Sequence, residues 1–97
     1  MPTPTESGVR RDGDALVFSG ALTRDAVPGL WPRVQAEAGI ARLDLGAVEI
    51  VDSAGLAMLS ELAARTQVGP MVVVGSPRGL VELCVAYRLD DALAFAA

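Results

Sequence analysis

The side chains most able to do chemistry in this chain are carboxylates, hydroxyls and one thiol, because its 97 residues include no histidine and no lysine. Their absence excludes histidine-based acid–base catalysis, Schiff-base chemistry and a metal site built from histidines or several cysteines. No pair of carboxylates lies in an obvious catalytic pattern. The sequence therefore predicts a binding protein that is not an enzyme and needs no cofactor and no metal.

Ser53 occupies the position best suited to recognition, where a predicted strand runs into a predicted helix. The segment reads Val48-Glu49-Ile50-Val51-Asp52-Ser53-Ala54-Gly55-Leu56. The first backbone N–H groups of a helix are unpaired and the helix dipole is positive there, so a carboxylate or phosphate of a partner fits this end. Gly55 keeps the first turn free of side-chain bulk, so another protein can approach closely. The same residues also fit an ordinary helix cap without a binding role.

Cys84 is the one cysteine, and it lies within an apolar stretch. A single cysteine cannot form an internal disulfide, which is typical of a reducing compartment. The N-terminus, MPTPTESGVRRDGD, lacks the apolar core of a signal peptide, and no apolar run approaches the ~20 residues of a membrane-spanning helix. We expect a cytoplasmic protein in which Cys84 is a small buried hydrophobe.

The composition is that of one aliphatic, acidic domain. Hydrophobic residues make up 52% of the chain, aromatic residues 4%, and the formal net charge is −4. All eight cations are arginines scattered along the chain, so neither nucleic-acid binding nor an anionic membrane surface is favoured. Residues 1–8 are predicted to be a disordered tail and residues 9–97 a single domain.

In the first half of the domain, hydrophobic periodicity predicts a hairpin, a helix and a strand. The hairpin comprises strands at about Val9–Asp12 and Ala15–Ser19. The helix has an apolar stripe, Thr23 or Asp25 as its N-cap, Pro28 in its first turn and Gly39 at its end. The stripe consists of Val27, Leu30, Trp31, Val34 and Ala38. Pro32 should kink this helix or delay its regular part. Ala41–Leu45 is a strand that Gly46 breaks, and Val48–Val51 is a short extended return.

The second half predicts a helix, a strand and a further helix. The first helix follows Asp52, with Leu56, Leu59, Leu62 and Ala63 on its inner face and a Glu61–Arg65 pair outside. Met71–Val74 reads as a strand buried on both sides. Ser76 should cap a helix with Pro77 at its first position, and its inward residues are Leu80, Leu83, Cys84 and Tyr87. Asp90-Asp91 should open a last turn or helix through Phe95.

The order β-β-α-β-α-β-α predicts an α/β fold with a mixed four-stranded sheet. In that context the D-S-A-G-L sequence of residues 52–56 resembles the STAS domain (sulfate transporter and anti-sigma factor antagonist), whose helices pack mainly on one face of the sheet. In anti-sigma factor antagonists the motif reads D-S-S-G-L and a partner kinase phosphorylates its first serine. That serine corresponds to Ser53, and Ala54 replaces the second one.

The chain also resembles the MlaB family, the STAS subunit of the Mla phospholipid transporter, from about Asp14 to Ala94. Besides D-S-A-G-L, the resemblance includes a G-x-L-x-x-D start, a Leu-Trp pair and a late L-x-x-x-Y-x-L stretch. These correspond to Gly20, Leu22, Asp25, Leu30, Trp31, Leu83, Tyr87 and Leu89. Pro32 departs from the helical continuation expected after the Leu-Trp pair.

The MlaB resemblance implies a subunit that binds and regulates or stabilises the cytoplasmic, MlaF-like ATPase of an ABC transporter maintaining outer-membrane lipid asymmetry. It implies a location on the inner membrane through that complex, with no direct membrane insertion. The implied partner-binding residues are Asp52, Ser53, Ala54, Gly55, Met58 and Trp31. Trp31 also fits a packing role. The alternative is an anti-sigma factor antagonist switched by phosphorylation of Ser53.

Overall fold

The strands and helices follow the predicted order within residues 7–65, 70–90 and 93, which are the residues that the computed structural model describes. The elements are β1 (Gly8–Asp12), β2 (Ala15–Leu22), α1 (Val27–Val34), β3 (Arg42–Val51), α2 (Ser53–Ala64), β4 (Val72–Val74) and α3 (Leu80–Ala86). The predicted tail overlaps this fold, because Ser7 Oγ donates a hydrogen bond to Ala21 O at 2.6 Å. Residues 1–6 of that tail lie outside the described residues.

The sheet is mixed, as predicted, with the strand order β1-β2-β3-β4. Strands β1 and β2 form an antiparallel hairpin through Gly13, whose φ of 63° is accessible to glycine at little cost. Strand β3 lies parallel to both β2 and β4. Leu22 and Val51, the last residues of β2 and β3, are register partners. The loops that follow these two strands therefore emerge side by side at one edge of the sheet.

The core lies between one face of the sheet and the helices, which confirms the predicted packing. Residues of β2 alternate, since Leu16, Phe18 and Leu22 are buried whereas Val17 and Ser19 are only half-buried. Helix α2 contributes its predicted inner face of Leu56, Leu59, Leu62 and Ala63, all buried. On the outer face of α2, Glu61 and Arg65 form the predicted ion pair at 3.6 Å. No described helix has the length and apolarity needed to cross a membrane.

Strand β3 runs unbroken through Gly46, so the predicted break there is wrong. The pairing of β3 with β2 has register shifts between Val17 and Ser19 and between Gly20 and Ala21. Such irregularities let one strand carry an extra residue without ending the ladder. The Gly46 N–H donates to Asp44 Oδ1 at 2.9 Å, which gives it a partner where the regular pairing is interrupted.

Helix α1 is shorter than predicted and begins without a side-chain cap. Its N-cap is Ala26 rather than Thr23 or Asp25, and the Thr23 carbonyl accepts from the N–H groups of Ala26 and Val27. Pro28 lies in the first turn as predicted. Pro32 lies inside the helix, so it does not delay the start, but its missing N–H removes one intrahelical bond. The helix ends at Val34, well before Gly39, which leaves Ala38 exposed outside the stripe.

The strand β4 is an edge strand, and the prediction that it is buried on both sides is wrong. Met71 is buried, but Val72 and Val74 are 54% and 41% exposed. Within the described part of the chain β4 pairs with β3 alone. The apolar run Met71–Val74 therefore reflects strand propensity as well as burial.

Helix α3 begins at Leu80, after Gly79 with φ of 89°, so the predicted Ser76 cap and Pro77 start are wrong. The cause is a tertiary contact, because Arg78 hydrogen-bonds in extended form to Glu49 and Val51 of β3. Leu80 is buried and the predicted inward residues Leu83 and Cys84 pack partly against the core. Tyr87 is 51% exposed, contrary to prediction. Of the predicted last turn, only Asp90 and the buried Leu93 are described.

Candidate functional site

Two loops at the carboxyl ends of β2 and β3 form the candidate site. Thr23, Arg24 and Asp25 follow β2, and Asp52, Ser53 and Ala54 follow β3. Together they line a shallow notch of about 240 Å³. The parallel register brings them together, and the Asp52 N–H donates to Leu22 O at 3.2 Å. Backbone pairing in the sheet therefore sets the position of Ser53.

The Asp52 carboxylate joins the two loops and caps α2. Its Oδ1 accepts from the Gly55 N–H at 2.9 Å and its Oδ2 accepts from the Arg24 N–H at 2.8 Å. The backbone of Asp52 is extended, as is typical of a residue whose side chain reaches back to cap a helix. Asp52, and not Ser53, is therefore the side-chain cap.

The same hydrogen bonds shift the pKa of Asp52. Burial alone raises the pKa, but hydrogen bonds from the backbone N–H groups of Gly55, Arg24 and Ala54, and the Arg24 charge, outweigh it. The pKa consequently lies below its ordinary value. A carboxylate held ionised by backbone donors is a poor proton acceptor. Asp52 therefore has a structural role, not a role in proton transfer.

Replacing Asp52 should destabilise the domain in a pH-dependent way. We expect Asp52→Ala to cost about 0.5–2 kcal/mol at pH 7, since both loops lose their acceptor. Asp52→Asn should cost less, because its one amide oxygen can still cap α2. A lowered folded pKa contributes stability above the unfolded pKa of about 4 and loses it as pH falls through the folded pKa. Urea unfolding from pH 7 to pH 3 should show that the difference in free energy of unfolding between wild type and Asp52→Asn shrinks as the pH falls. An unchanged difference would contradict the role of the ionised Asp52 carboxylate as the cap of α2.

Ser53 is exposed at the first position of α2. Within the described residues its hydroxyl makes no hydrogen bond, so it faces solvent rather than supporting the fold. Ala54 beside it is half-buried. No three carboxylate or thiol groups of the described residues lie close enough together to hold a metal ion. The predicted turn therefore presents one solvent-facing hydroxyl that the fold does not use.

Gly55 is needed for internal packing, which is not the role that we expected from the sequence. It is buried, and a Cβ at this position would overlap the backbone oxygen of Leu22. The missing side chain thus lets α2 approach β2 closely, and leaves no space there for a partner.

Met58 and Trp31, the remaining predicted contact residues, lie away from the exposed turn. Met58 is 4% exposed and belongs to the core. Trp31 is half-buried, and the Arg65 guanidinium lies 4.9 Å from its ring centroid, so a cation–π contact joins α1 to α2. This geometry favours the packing role of Trp31.

A larger apolar depression, which we call the α2 groove, begins at Ser53 and has a volume of about 450 Å³. Ser53, Ala54, Ala57 and Ser60 of α2 lie on one side, and Tyr87 and Leu89 lie on the other. Sequence reasoning missed this groove because it assigned Tyr87 to the core. The exposed small residues on the outer face of α2 were the available signal.

Comparison with known proteins gives matches over nearly the whole chain. A family model described as "Mlab, STAS domain" matches residues 7–94. The intermembrane phospholipid transport system binding protein MlaB of Escherichia coli (strain K12) is 45% identical over 80 residues, covering 79% of this chain and 82% of that protein. The protein of the same name from Shigella flexneri has the same identity and coverage. The turn at Ser53 and the α2 groove both lie within the range matched by the family model.

Proposed function

The chain belongs to the Mlab STAS domain family, and on that premise we propose that it binds and regulates or stabilises the cytoplasmic ATPase of a phospholipid-transport ABC transporter. The family match confirms the STAS resemblance inferred from the D-S-A-G-L residues. The proposed partner is a MlaF-like ATPase. The protein would be located in the cytoplasm, on the inner membrane through that complex, and would help maintain outer-membrane lipid asymmetry.

The observation that carries the proposal is the exposed Ser53 hydroxyl on a turn that the sheet and Asp52 hold rigidly. Ser53 also lines the apolar α2 groove. An apolar depression with polar groups at its edge matches the apolar core and polar rim of a protein-protein interface. The relatives from Escherichia coli and Shigella flexneri are named as binding proteins of an intermembrane phospholipid transport system, which supports the same reading.

A non-enzymatic role is consistent with the chemistry of the site. The Asp52 oxygens accept hydrogen bonds from the backbone N–H groups of Arg24 and Gly55. Within the described residues, the Ser53 hydroxyl makes no hydrogen bond to a carboxylate that could activate it. Such a subunit acts through binding free energy alone. It stabilises the assembled ATPase by mass action and biases the ATPase cycle through different affinities for its conformations.

Co-expression with the neighbouring genes tests this proposal. We expect the tagged chain to co-purify with an ABC-type ATPase from its own operon and to leave an ATPase of an unrelated transporter unbound. The reason is that binding depends on complementarity to one surface, not on general apolar adhesion. Recovery of both ATPases alike, or of neither, would contradict it.

The exposed Ser53 hydroxyl also favours a second candidate, an anti-sigma factor antagonist. Phosphorylation there would add about 1.5–2 negative charges and could expel a partner. Ala54, in place of the second serine of the D-S-S-G-L motif, argues against it. A pull-down that recovers a sigma-regulatory kinase and no ATPase would establish this alternative.

A further inference from the structure

Strand β4 leaves one edge of the sheet open and without charge. Within the described part of the chain it pairs with β3 alone, and its three residues are all valines. The opposite edge strand, β1, instead carries Arg10, Arg11 and Asp12. Charged side chains on an edge strand hinder its pairing with other chains, and β4 has none. Of the two edges, β4 is therefore the one that can accept another strand.

The backbone groups of Val73 face this open edge. The Val72 N–H donates to Ala41 O at 3.0 Å, and Val72 and Arg42 are register partners. In a parallel ladder, alternate residues of a strand direct both their N–H and their C=O to the same neighbouring strand. Val72 and Val74 therefore bond to β3, whereas the N–H and C=O of Val73 point away from it.

Helix α3 adds two exposed valines on the same side of the domain. Val81 and Val85 are 60% and 74% exposed. Arg78, two residues before α3, pairs with Ile50 on the side of β3 that β4 occupies, so α3 lies on the β4 side. Tyr87 at the end of α3 faces α2 across the groove, and at about 100° per residue the two valines lie on the flank turned away from α2.

The symmetry of the β4 edge selects a second copy of the chain as its occupant. Valine lies on both sides of Val73, so an antiparallel copy centred on Val73 places Val72 of each chain opposite Val74 of the other. The two Val73 residues then exchange two N–H···O bonds, and the cross-strand valine pairs bury the exposed side chains. The segment from Pro70 to Ser76 has no charged residue, so the net charge of −4 on each copy repels only from a distance.

We propose that two copies of the chain join their β4 strands antiparallel, so that two four-stranded sheets become one continuous sheet with both α3 helices on the same face. Strand β4 pairs with the start of β3, whereas Ser53 follows the other end of β3, about 20 Å away. The inference therefore goes beyond the proposed function and does not depend on it. A three-residue strand buries little area compared with the about 800 Å² per partner of a standard interface, so the dimer is weak.

Sedimentation equilibrium of the full chain, from about 10 µM to about 1 mM, measures this dimer. We expect it to form in the upper part of that range and to strengthen as salt rises, because salt screens the net charge of each copy. Amide hydrogen exchange locates the contact. The Val73 N–H should exchange more slowly at high than at low chain concentration, whereas the Val72 N–H, already bonded within the chain, should change little.

Charged substitutions test the register of the two strands. Val74→Lys should weaken association about tenfold or more, because each copy then buries a cation against a valine. Val72→Lys/Val74→Glu should recover most of that affinity, since the register sets each cation opposite an anion of the other copy, whereas Val72→Lys/Val74→Lys should not. Gln35→Lys, at an exposed position outside the edge, adds the same charge and should stay within about twofold of wild type. Circular dichroism on the same preparations checks that each variant is folded.

Four results would overturn the proposal. One is a monomer at every concentration in which the Val73 N–H exchanges equally fast throughout. Another is protection of Val73 that does not depend on concentration, because the edge would then be covered within one chain. A dimer that Val74→Lys leaves intact would exclude β4 as the interface. A monomer whose Val74→Lys variant loses a co-purifying protein would make a strand of that protein, not a second copy, the occupant of the edge.

Discussion

Replacing Ser53 with arginine should yield a folded domain that no longer holds its ATPase partner. Ser53 is exposed and the cap of α2 is supplied by Asp52, so the substitution removes no contact that supports the fold. A cation at the positive end of a helix costs about 0.3–1 kcal/mol, and Arg24 nearby adds a screened repulsion. The domain has a contiguous core of buried, mostly aliphatic residues and should remain folded despite this cost.

Binding should respond far more strongly than stability. If Ser53 packs against the ATPase, the interface has no space for an arginine side chain. The two surfaces must then separate there, and the residues around Ser53 lose their burial in the interface. We expect a loss of several kcal/mol, on the order of 2–4, as at the centre of other interfaces. Co-elution with the ATPase and circular dichroism on the same preparation measure the two effects together.

Two further variants control this experiment. Ser53→Ala should be nearly as stable as wild type, below the ~0.5–2 kcal/mol of a lost N-cap, because the Ser53 hydroxyl caps nothing. Ser76→Arg places the same charge at an exposed serine in the loop before α3 and should bind normally. If folded Ser53→Arg keeps wild-type affinity, Ser53 lies outside the interface.

The sequence predicted the order of elements and the turn at Ser53 because both follow from local patterns. Leu56, Leu59 and Leu62 recur at helical spacing, and all three are buried. The D-S-A-G-L residues are contiguous, so their resemblance to the STAS motif needed no knowledge of the fold. The helix cap at Asp52 is likewise a local interaction, with Gly55 three residues away.

The features that the sequence did not predict depend on contacts between distant segments. Ser76 and Pro77 form a good local helix start, but Arg78 hydrogen-bonds to β3, and α3 begins three residues later than predicted, at Leu80. Tyr87 falls at the spacing of an inward residue, yet α3 ends at Ala86 and leaves it beside the groove. At the start of α3 a tertiary interaction outweighed a local capping preference worth about 0.5–2 kcal/mol.

Gly55→Ala should be the most destabilising small substitution at the site, for the same tertiary reason. The added methyl group would overlap the Leu22 carbonyl, a backbone atom fixed by the pairing of β2 with β3. Helix α2 can relieve the overlap only by moving away from β2, which strains the Asp52 N–H bond to that same carbonyl. Overpacking of this kind costs about 1–3 kcal/mol or more, which exceeds the ~0.5–1 kcal/mol that alanine gains in a helix.

Gly29→Ala is the matched control, because Gly29 is also near the start of a helix but a Cβ there would meet nothing within 4 Å. It should stabilise the domain by about 0.5–1 kcal/mol, so the same substitution should have opposite signs at the two positions. Urea midpoints followed by circular dichroism measure both. Since Ser53 moves with the first turn of α2, Gly55→Ala should also weaken ATPase binding, whereas Gly29→Ala should leave it unchanged. Equal stabilisation by both substitutions would mean that α2 does not press against Leu22.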